Sequence, residues 1–295
     1  MSKINAKSEI VVTEFKSYLT SVKTVLDALG ADSRLKKHKR IVIKPNLTDA
    51  LFPPVTTDVN CIKAIIEYIQ ECNSKAKIIV AEGSGGCDTP KAFDKLGYNA
   101  LEEIYGIELV DLNLDDRKTL KNKNAKVLKE LDVPKTLLGA YLISVPVPKE
   151  HSTMRFTGAM KNMMGIYLPR PTFDENLKNL LARGARKILP RFTPSIWSKS
   201  RLHLLGLSEG IFDLNLYVPI DLCVMDAKIG QKECEIYGEP CKPELNKIYA
   251  GYDPVAIDSY SAKLLNVNWE KVKYLKYSDE VLGNADLKKI KLTKV

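Results

Sequence analysis

The sequence predicts an α/β fold: a mostly parallel sheet of βαβ units with helices on both faces and one helical insert. Short runs rich in Val and Ile alternate with segments of helical periodicity through the first half of the chain. Proline, glycine and N-capping residues mark the points where one kind of segment gives way to the other. With no internal repeat and no low-complexity linker, the simplest organisation is a single domain over residues 1–295, whose insert covers about 171–217.

The predicted elements of the first half follow one another in strand–helix order. Strands are expected at 10–15, 40–45, 77–83 and 107–112. Helices are expected at 18–30, at 59–72 and from Pro90, a residue that helices accept in their first turn. The helix at 59–72 carries four isoleucines on one stripe, and Thr56, Thr57 and Asp58 are its candidate N-caps, which indicates an amphipathic helix packed on the sheet.

The second half departs from this simple alternation. Residues 113–138 are polar and lysine-rich, and they predict an excursion or a small antiparallel pair of strands. Further strands are expected at 140–147, 219–227 and 247–253, and a helix is expected to begin at Pro254. The whole of 171–217 has a helical pattern and forms the predicted insert.

Nothing in the sequence indicates export or membrane insertion. No apolar run approaches the roughly 18 residues that span a bilayer, and the N-terminus has no apolar h-region. The six cysteines include no CxxC pair, a pattern that matches neither a zinc ribbon nor a ferredoxin and that fits reduced thiols. We therefore expect a cytoplasmic protein without a metal site.

Positive charge is concentrated in the middle of the chain. Residues 115–205 hold 18 Lys or Arg against 7 Asp or Glu, an excess of 11, whereas the whole chain has a net charge of +9. The basic stretch 176–206 admits three interpretations: nucleic-acid binding, contact with an anionic membrane surface, or a positive field that attracts an anionic substrate. Because only Phe192 and Trp197 supply aromatic rings there, we expect no more than weak, non-specific binding of nucleic acid.

Two strand exits carry residues that suit an anion, and ligands of open α/β sheets bind beyond such exits. Lys44 and Asn46 flank the proline that ends the second strand, so the ammonium is expected to point into a cleft. The third strand leads into a glycine-rich turn whose backbone amides, with the following helix N-terminus, can approach an anion. The expected ligand-binding residues of these two exits are Lys44, Asn46, Gly83, Ser84, Gly85 and Gly86.

The segment 148–165 follows another strand and has the highest density of reactive side chains. A histidine exchanges protons near neutral pH, and a lysine can hold a phosphate or act as a nucleophile if its pKa falls. His151 and Lys161 are the candidate catalytic residues, and the other candidate ligand contacts are Arg155, Thr157, Gly158 and Asn162. Asp226, which ends a late strand, and His203 in the basic stretch are further candidates.

The order of these motifs resembles one known family. IVIKPNL (41–47), VAEGSGGCDT (80–89), KEHSTMRFTGAMKNMMG (149–165), RLH (201–203), VMDA (224–227) and AGYDPVAIDSYSAKLL (250–265) are similar to the family called domain of unknown function 362. Members often carry a ferredoxin-like cluster module, and this chain lacks the cysteines for an iron–sulfur cluster. The resemblance implies a fold and no particular activity.

A more distant likeness is to the nickel-pincer-nucleotide lactate racemases. In that family a histidine, a glycine pair and a lysine form a segment similar to residues 151–161, in which the lysine anchors the cofactor and the histidine is an acid/base. The resemblance would give those roles to Lys161 and His151. Residues 162–202 contain no histidine where the nickel ligand would lie, so a nickel-pincer nucleotide is not expected.

Two functions follow from these observations. The first is an enzyme that binds an anionic, phosphate- or nucleotide-like small molecule in a cleft at the strand carboxyl ends, with His151 as acid/base and Lys161 as anion binder or anchor. The second is a non-catalytic module whose basic stretch docks nucleic acid or an acidic partner. A pocket shared by His151, Lys161 and Lys44 would favour the enzyme.

Overall fold

The computed structural model describes residues 8–169, 199 and 201–295. Its strands are β1 (Ser8–Glu14), β2 (Arg40–Pro45), β3 (Lys77–Glu82), β4 (Glu108–Asp111), β5 (Arg117–Lys121), β6 (Glu130–Pro134), β7 (Tyr141–Val145), β8 (Lys149–His151), β9 (Arg155–Thr157), β10 (Leu222–Ala227), β11 (Lys247–Gly251) and β12 (Ile290–Lys294). Its α-helices are α1 (Tyr18–Ala28), α2 (Asp32–Leu35), α3 (Val59–Cys72), α4 (Thr89–Lys95), α5 (Asn99–Tyr105), α6 (Ala159–Asn162), α7 (Arg201–Leu205), α8 (Leu207–Tyr217), α9 (Pro254–Leu264) and α10 (Lys273–Ser278).

A sheet of eight strands organises the described residues, in the order β12-β1-β11-β10-β7-β2-β3-β4. Neighbouring strands from β10 to β4 pair in parallel, as do β1 and β12. β11 runs antiparallel to both of its neighbours, β10 and β1. The chain returns from β10 to β11 through turns and bends without a helix, and such a connection permits antiparallel pairing. The predicted α/β fold with a mostly parallel sheet is confirmed.

Helices cover both faces of this sheet. Alternate side chains of β2 divide between the faces, as the pleat of a strand requires. Ile41 and Ile43 share a buried cluster with residues of α1 and α3, whereas Val42 lies in the cluster formed with α8 and α9. The isoleucine stripe predicted for α3 is fully buried, and each such side chain stabilises the fold by about 1.5–3 kcal/mol.

Most of the predicted elements are present in the structure. α3 has the predicted bounds, α9 begins at Pro254, and the polar stretch 113–138 contains the antiparallel pair β5–β6. The elements that were not predicted include the edge strand β12, the short hairpin β8–β9 and the helices α2, α5 and α10. Residues 171–198 of the predicted helical insert, and with them most of the basic stretch, lie outside the described residues, and α7 and α8 form its described end. In the part of the chain that the structure describes, no helix is long and apolar enough to cross a bilayer.

Three parallel strands end together at one edge of the sheet. Lys44 of β2 is the register partner of Ser144 in β7, and β3 ends at Glu82 on the other side of β2. The turns after β2 and β3 meet at this edge, together with the hairpin β8–β9 and α6, which follow β7. Parallel α/β sheets bind their ligands at this kind of edge.

Candidate functional site

A buried ion pair forms the floor of the carboxyl edge. Lys44 Nζ lies 2.6 Å from Glu82 Oε1 and 3.3 Å from Asn162 Oδ1, and all three residues are buried. Burial lowers the pKa of Lys44, and the Glu82 carboxylate opposes that shift. The ammonium is therefore already paired within the protein, with acceptors on Glu82 and Asn162.

The Glu82 carboxylate also joins the turns that follow β2 and β3. Its Oε2 accepts the N–H of Leu47 at 3.0 Å, and its Oε1 accepts the N–H of Gly83 at 2.7 Å. The chain after α6 approaches the same carboxylate at Gly165, where a Cβ would lie 2.2 Å from Glu82 Oε1 and 2.7 Å from Lys44 Nζ. One carboxylate therefore joins two turns, and a glycine is required where the third segment packs against it.

The glycine-rich turn after β3 uses most of its own amides. Besides that of Gly83, the N–H of Ser84 donates to Thr89 Oγ1 at 3.1 Å, and the N–H of Gly86 donates to a backbone carbonyl of the preceding turn at 2.8 Å. No described residue accepts a hydrogen bond from the N–H of Gly85. The Gly85 amide is therefore the one amide among Gly83, Ser84, Gly85 and Gly86 without an acceptor in the described part of the chain, whereas the sequence predicted a row of amides that face an anion.

Lys199 reaches this turn from a distant part of the chain. Its Nζ donates to the carbonyls of Gly83 and Gly165, the latter at 2.7 Å. Burial lowers the pKa of Lys199 to about 7, while Glu82 opposes the shift and Lys44 adds to it. The side chain bridges two glycine carbonyls and so ties the turn to the segment after α6.

His151 is held in one tautomer by its own hairpin. Its Nδ1 accepts the backbone N–H groups of Thr153 and Met154, each at 3.2 Å. The proton therefore resides on Nε2, which lies 3.2 Å from Glu235 Oε1 and donates to it. Burial lowers the pKa of His151 to about 3, and Lys161 adds to the shift. The imidazole is neutral at physiological pH and donates to a carboxylate.

Lys149 is a buried lysine whose three protons all have acceptors. Its Nζ lies 2.7 Å from the Val55 carbonyl, 3.2 Å from the Glu235 carbonyl and 3.4 Å from Asn46 Oδ1. Burial lowers its pKa to about 7, and Lys161 adds to the shift. The three oxygen acceptors suit the ammonium form, which has three N–H groups, and so act against the effect of burial. Asn46 is thus placed near the site through Lys149.

Lys161 differs from Lys149 in its hydrogen bonding and in its exposure to solvent. Its side chain is half-buried, and no described residue accepts a hydrogen bond from its Nζ. Burial lowers its pKa, and Glu235 opposes that shift. The charge of Lys161 lowers the pKa of both His151 and His203, although burial is the larger cause for each. Lys161, Glu235 and the two imidazoles therefore lie within electrostatic range of one another.

The helix that carries Lys161 is fixed at both of its ends. Asp258 of α9 accepts the N–H groups of Ala159 and, at 3.1 Å, Met160. Gly158 permits this approach, since a Cβ there would lie 2.2 Å from Asp258 Oδ1. At the other end, the Asn162 amide donates to the Lys44 carbonyl at 3.2 Å and to Ser144 Oγ at 3.1 Å. These contacts leave little freedom for the backbone of Lys161.

Four other predicted residues have less direct positions. Arg155 is exposed and has a φ of 67° at the start of β9, and Thr157 is buried with no hydrogen bond to its Oγ1. Asp226 accepts the Tyr18 hydroxyl and the Asp58 N–H, each at 3.1 Å, so it anchors the start of α3; burial raises its pKa to about 6. His203 is exposed on α7. Among the described residues, no group of three or more His, Cys, Asp or Glu side chains could hold a metal ion.

A family model described as Domain of unknown function (DUF362) matches residues 41–263. The chain belongs to this family. The matched range contains every residue of the site described above, and the membership inferred from the motifs is confirmed.

A solved structure that this DUF362 chain is similar to is the lactate racemase apoprotein from Thermoanaerobacterium thermosaccharolyticum, with a TM-score of 0.49 and 13% identity. The alignment covers 95% of this chain and 58% of the racemase, so the chain spans less than two thirds of that protein. No curated protein matches the sequence significantly.

Five residues of this DUF362 site were not among the sequence candidates: Glu82, Lys149, Lys199, Glu235 and Asp258. Three of them lie inside the family motifs, at 80–89, 149–165 and 250–265. The sequence does hold a signal for two of them: Glu82 is an ionisable residue that ends a strand, and Asp258 is one that interrupts an apolar helix face. Glu235 and Lys199 lie in polar segments where nothing distinguishes them from solvated neighbours.

Proposed function

We propose that this protein is an enzyme that binds an anionic, phosphate- or nucleotide-like small molecule at the carboxyl edge of β2, β3 and β7. Lys161 faces the ligand, and His151 acts with Glu235 to move a proton. The observation that carries the proposal is the Nζ of Lys161, for which no described residue provides an acceptor. A partly buried polar group without a partner costs free energy unless a ligand or water supplies one.

The charge of the cluster favours an anion. The cluster contains more lysines than carboxylates. The lysines are Lys44, Lys149, Lys161 and Lys199, and the carboxylates are Glu82 and Glu235. Coulombic interactions are stronger in such a partly desolvated place than in water. Burial lowers the pKa of all four lysines, and a bound anion would favour their charged forms and so stabilise the complex.

The pair formed by His151 and Glu235 suits proton transfer. The imidazole donates from Nε2 to a carboxylate that is only partly buried. Burial raises the pKa of Glu235, but its own backbone N–H, His151 and Lys161 together lower it by more, so the net shift is downward and the carboxyl is ionised. In this proposal the carboxylate takes a proton from the ligand, and His151 orients it and stabilises the product.

Binding of simple anions tests the proposal. The full chain is heated with inorganic phosphate, with adenosine monophosphate or with malonate, and the shift in Tm is recorded for wild type, Lys161→Met and Lys91→Met. Lys91 is an exposed lysine of α4, so its variant controls for loss of one positive charge. We expect at least one anion to raise the Tm of wild type and of Lys91→Met, with a smaller shift in Lys161→Met. Equal shifts in all three proteins, or none, would refute the proposal.

A further inference from the structure

We infer that Lys149 is a positioning residue, which holds Glu235 where its carboxylate meets His151. The inference rests on the proposed function, in which the Glu235 carboxylate takes a proton from the ligand. It follows from an arrangement in which two residues of one short strand contact two different parts of Glu235.

Lys149 and His151 are the first and last residues of β8. Side chains two residues apart on a strand lie on the same face, and both of these side chains are buried. Nζ of Lys149 donates to the backbone carbonyl of Glu235 at 3.2 Å, and Nε2 of His151 lies 3.2 Å from Oε1 of the same residue. The strand therefore contacts both the backbone and the carboxylate of Glu235.

The chain that leads to Glu235 needs such a contact, because it pairs with β8 only briefly. Gln231 forms a single backbone bridge with Lys149. Two residues later Glu233 has a φ of 69°, and its N–H donates to the Glu150 carboxylate at 2.8 Å. A residue with a side chain adopts the left-handed region only where surrounding contacts impose it. Lys149 supplies the next contact along this segment, at Glu235.

Lys149 is itself held at the carboxyl edge of the sheet. Its Nζ also lies 2.7 Å from the Val55 carbonyl and 3.4 Å from Asn46 Oδ1, and both residues belong to the turn after β2. The residue is only 1% exposed, so solvent cannot replace these acceptors. A buried donor keeps its acceptors because an unsatisfied one bears the full cost of desolvation. Lys149 therefore joins Glu235 to the turn after β2.

Exposure separates the role of Lys149 from that of Glu235. The Glu235 side chain is 23% exposed and is reachable from solvent, whereas Lys149 is buried among its three oxygen acceptors. Lys149 therefore reaches the open part of the site through the residue that it holds. Its effect on proton transfer is to fix where the Glu235 carboxylate lies.

Exchange of the His151 Nε2 proton with water tests the inference, because this proton is protected while the Glu235 carboxylate accepts it. Nitrogen-15 NMR measures the exchange rate in the full chain without a ligand, for wild type, Lys149→Met and Ile65→Ala. Ile65→Ala opens a cavity under the buried stripe of α3 and controls for lost stability. We expect exchange to be at least about tenfold faster in Lys149→Met, the scale of a lost hydrogen bond to a charged group. Ile65→Ala should change it little. Equal acceleration in both variants, or none in Lys149→Met, would overturn the inference.

A second variant gives an answer even if Lys149→Met does not fold. Glu235→Asp keeps the charge and the backbone carbonyl but draws the carboxylate back by one methylene group. If Lys149 fixes the backbone, the shorter side chain cannot reach His151, and its Nε2 proton should again exchange at least about tenfold faster. Exchange as slow as in wild type would mean that the segment is free to follow, and it would overturn the inference. If phosphate still raised the Tm in a Lys161-dependent way in that case, the proposed anion site would stand and the positioning role would be refuted alone.

Discussion

The ammonium of Lys44 and the carboxylate of Glu82 form an ion pair across the adjacent strands β2 and β3, with 2.6 Å between Nζ and Oε1. Neither side chain has appreciable contact with solvent, since they are 0% and 4% exposed. The pair survives burial because each member has further partners: Glu82 accepts the N–H groups of Leu47 and Gly83, and Lys44 donates to Asn162. A buried pair of this kind contributes little net stability, but the loss of one partner is costly.

Removal of the Lys44 charge should therefore destabilise the fold strongly. In Lys44→Met the apolar stem remains and the Glu82 carboxylate is left uncompensated, so we expect the free energy of unfolding to fall by about 3–5 kcal/mol. Urea denaturation of wild type and variant measures this difference. Lys36→Met, which breaks the exposed pair with Asp32, should cost about 0–1 kcal/mol. A similar small loss for Lys44→Met would show that the ion pair is dispensable.

The glycine turn provides a second test, because two of its glycines differ in the space around them. A Cβ on Gly83 would lie 2.2 Å from the Gly165 carbonyl oxygen, whereas a Cβ on Gly85 would make an ordinary contact at 3.6 Å. We expect Gly83→Ala to lower the free energy of unfolding by about 1–3 kcal/mol through overpacking. Gly85→Ala should stay within about 1 kcal/mol of wild type. Denaturation curves for the two variants, measured side by side, would disprove the close approach if they coincided.

The elements around the site were predictable because their signals are local. Asp58 and the isoleucine stripe indicate the helix α3, and a β-branched run that ends at Pro45 indicates β2. The direction of β11 was not predictable, since a five-residue strand carries no mark of the side from which the chain returns. The edge strand β12 has exposed and half-buried residues only, so it lacks the apolar run that identifies an interior strand.

The site itself was predictable only in part, and the reason lies in its ion pairs. His151 and Lys161 stood out because reactive side chains crowd one short segment. Glu235, which pairs with His151, comes from the connection between β10 and β11, and Lys44 lies 38 residues from Glu82. Pairings over such distances depend on strand order, which a single sequence does not specify. For that reason Lys44 was expected to face a ligand, whereas the fold brings it a carboxylate.

The neutral state of His151 makes a spectroscopic prediction. Because burial, with Lys161 adding to the effect, lowers its pKa to about 3, the imidazole should remain uncharged at about pH 5, where an ordinary histidine is mostly protonated. Nitrogen-15 NMR of the three histidines measures this directly, with the His151→Gln spectrum as assignment control. We expect the proton on Nε2 and no titration between about pH 5 and pH 8. Titration of this signal near pH 6.5 would contradict the buried arrangement with Glu235.

The lowered pKa of His151 also makes the free energy of unfolding depend on pH. The folded-state pKa of about 3 lies below the ordinary value of 6.5, so the unfolded chain binds more protons between these pH values. The contribution of His151 to the free energy of unfolding is complete above pH 6.5 and is lost as the pH falls toward 3. His151→Gln should therefore lose less stability than wild type when the pH is lowered from about 7 to about 5.

Asp258 should show the opposite dependence on pH, and it offers the clearest test of how α6 is positioned. Its carboxyl accepts the N–H groups of Ala159 and Met160 and the hydroxyl of Tyr274. Burial nevertheless raises its pKa from 3.8 to about 7. The folded protein therefore holds a proton that the unfolded chain has lost, and the resulting stabilisation is complete below pH 3.8 and disappears as the pH rises through about 7.

The isosteric variant Asp258→Asn lacks this titration. We expect the free energy of unfolding of wild type, relative to that of the variant, to decrease between about pH 5 and about pH 8. Urea denaturation at several pH values measures the difference, and Asp94→Asn, at an exposed carboxylate of α4, is the control for the loss of one negative charge. A difference that does not change over this range would mean that Asp258 is already ionised at pH 5. In that case its hydrogen bonds to α6 would outweigh its burial, and the helix that presents Lys161 would be held by a permanent charge.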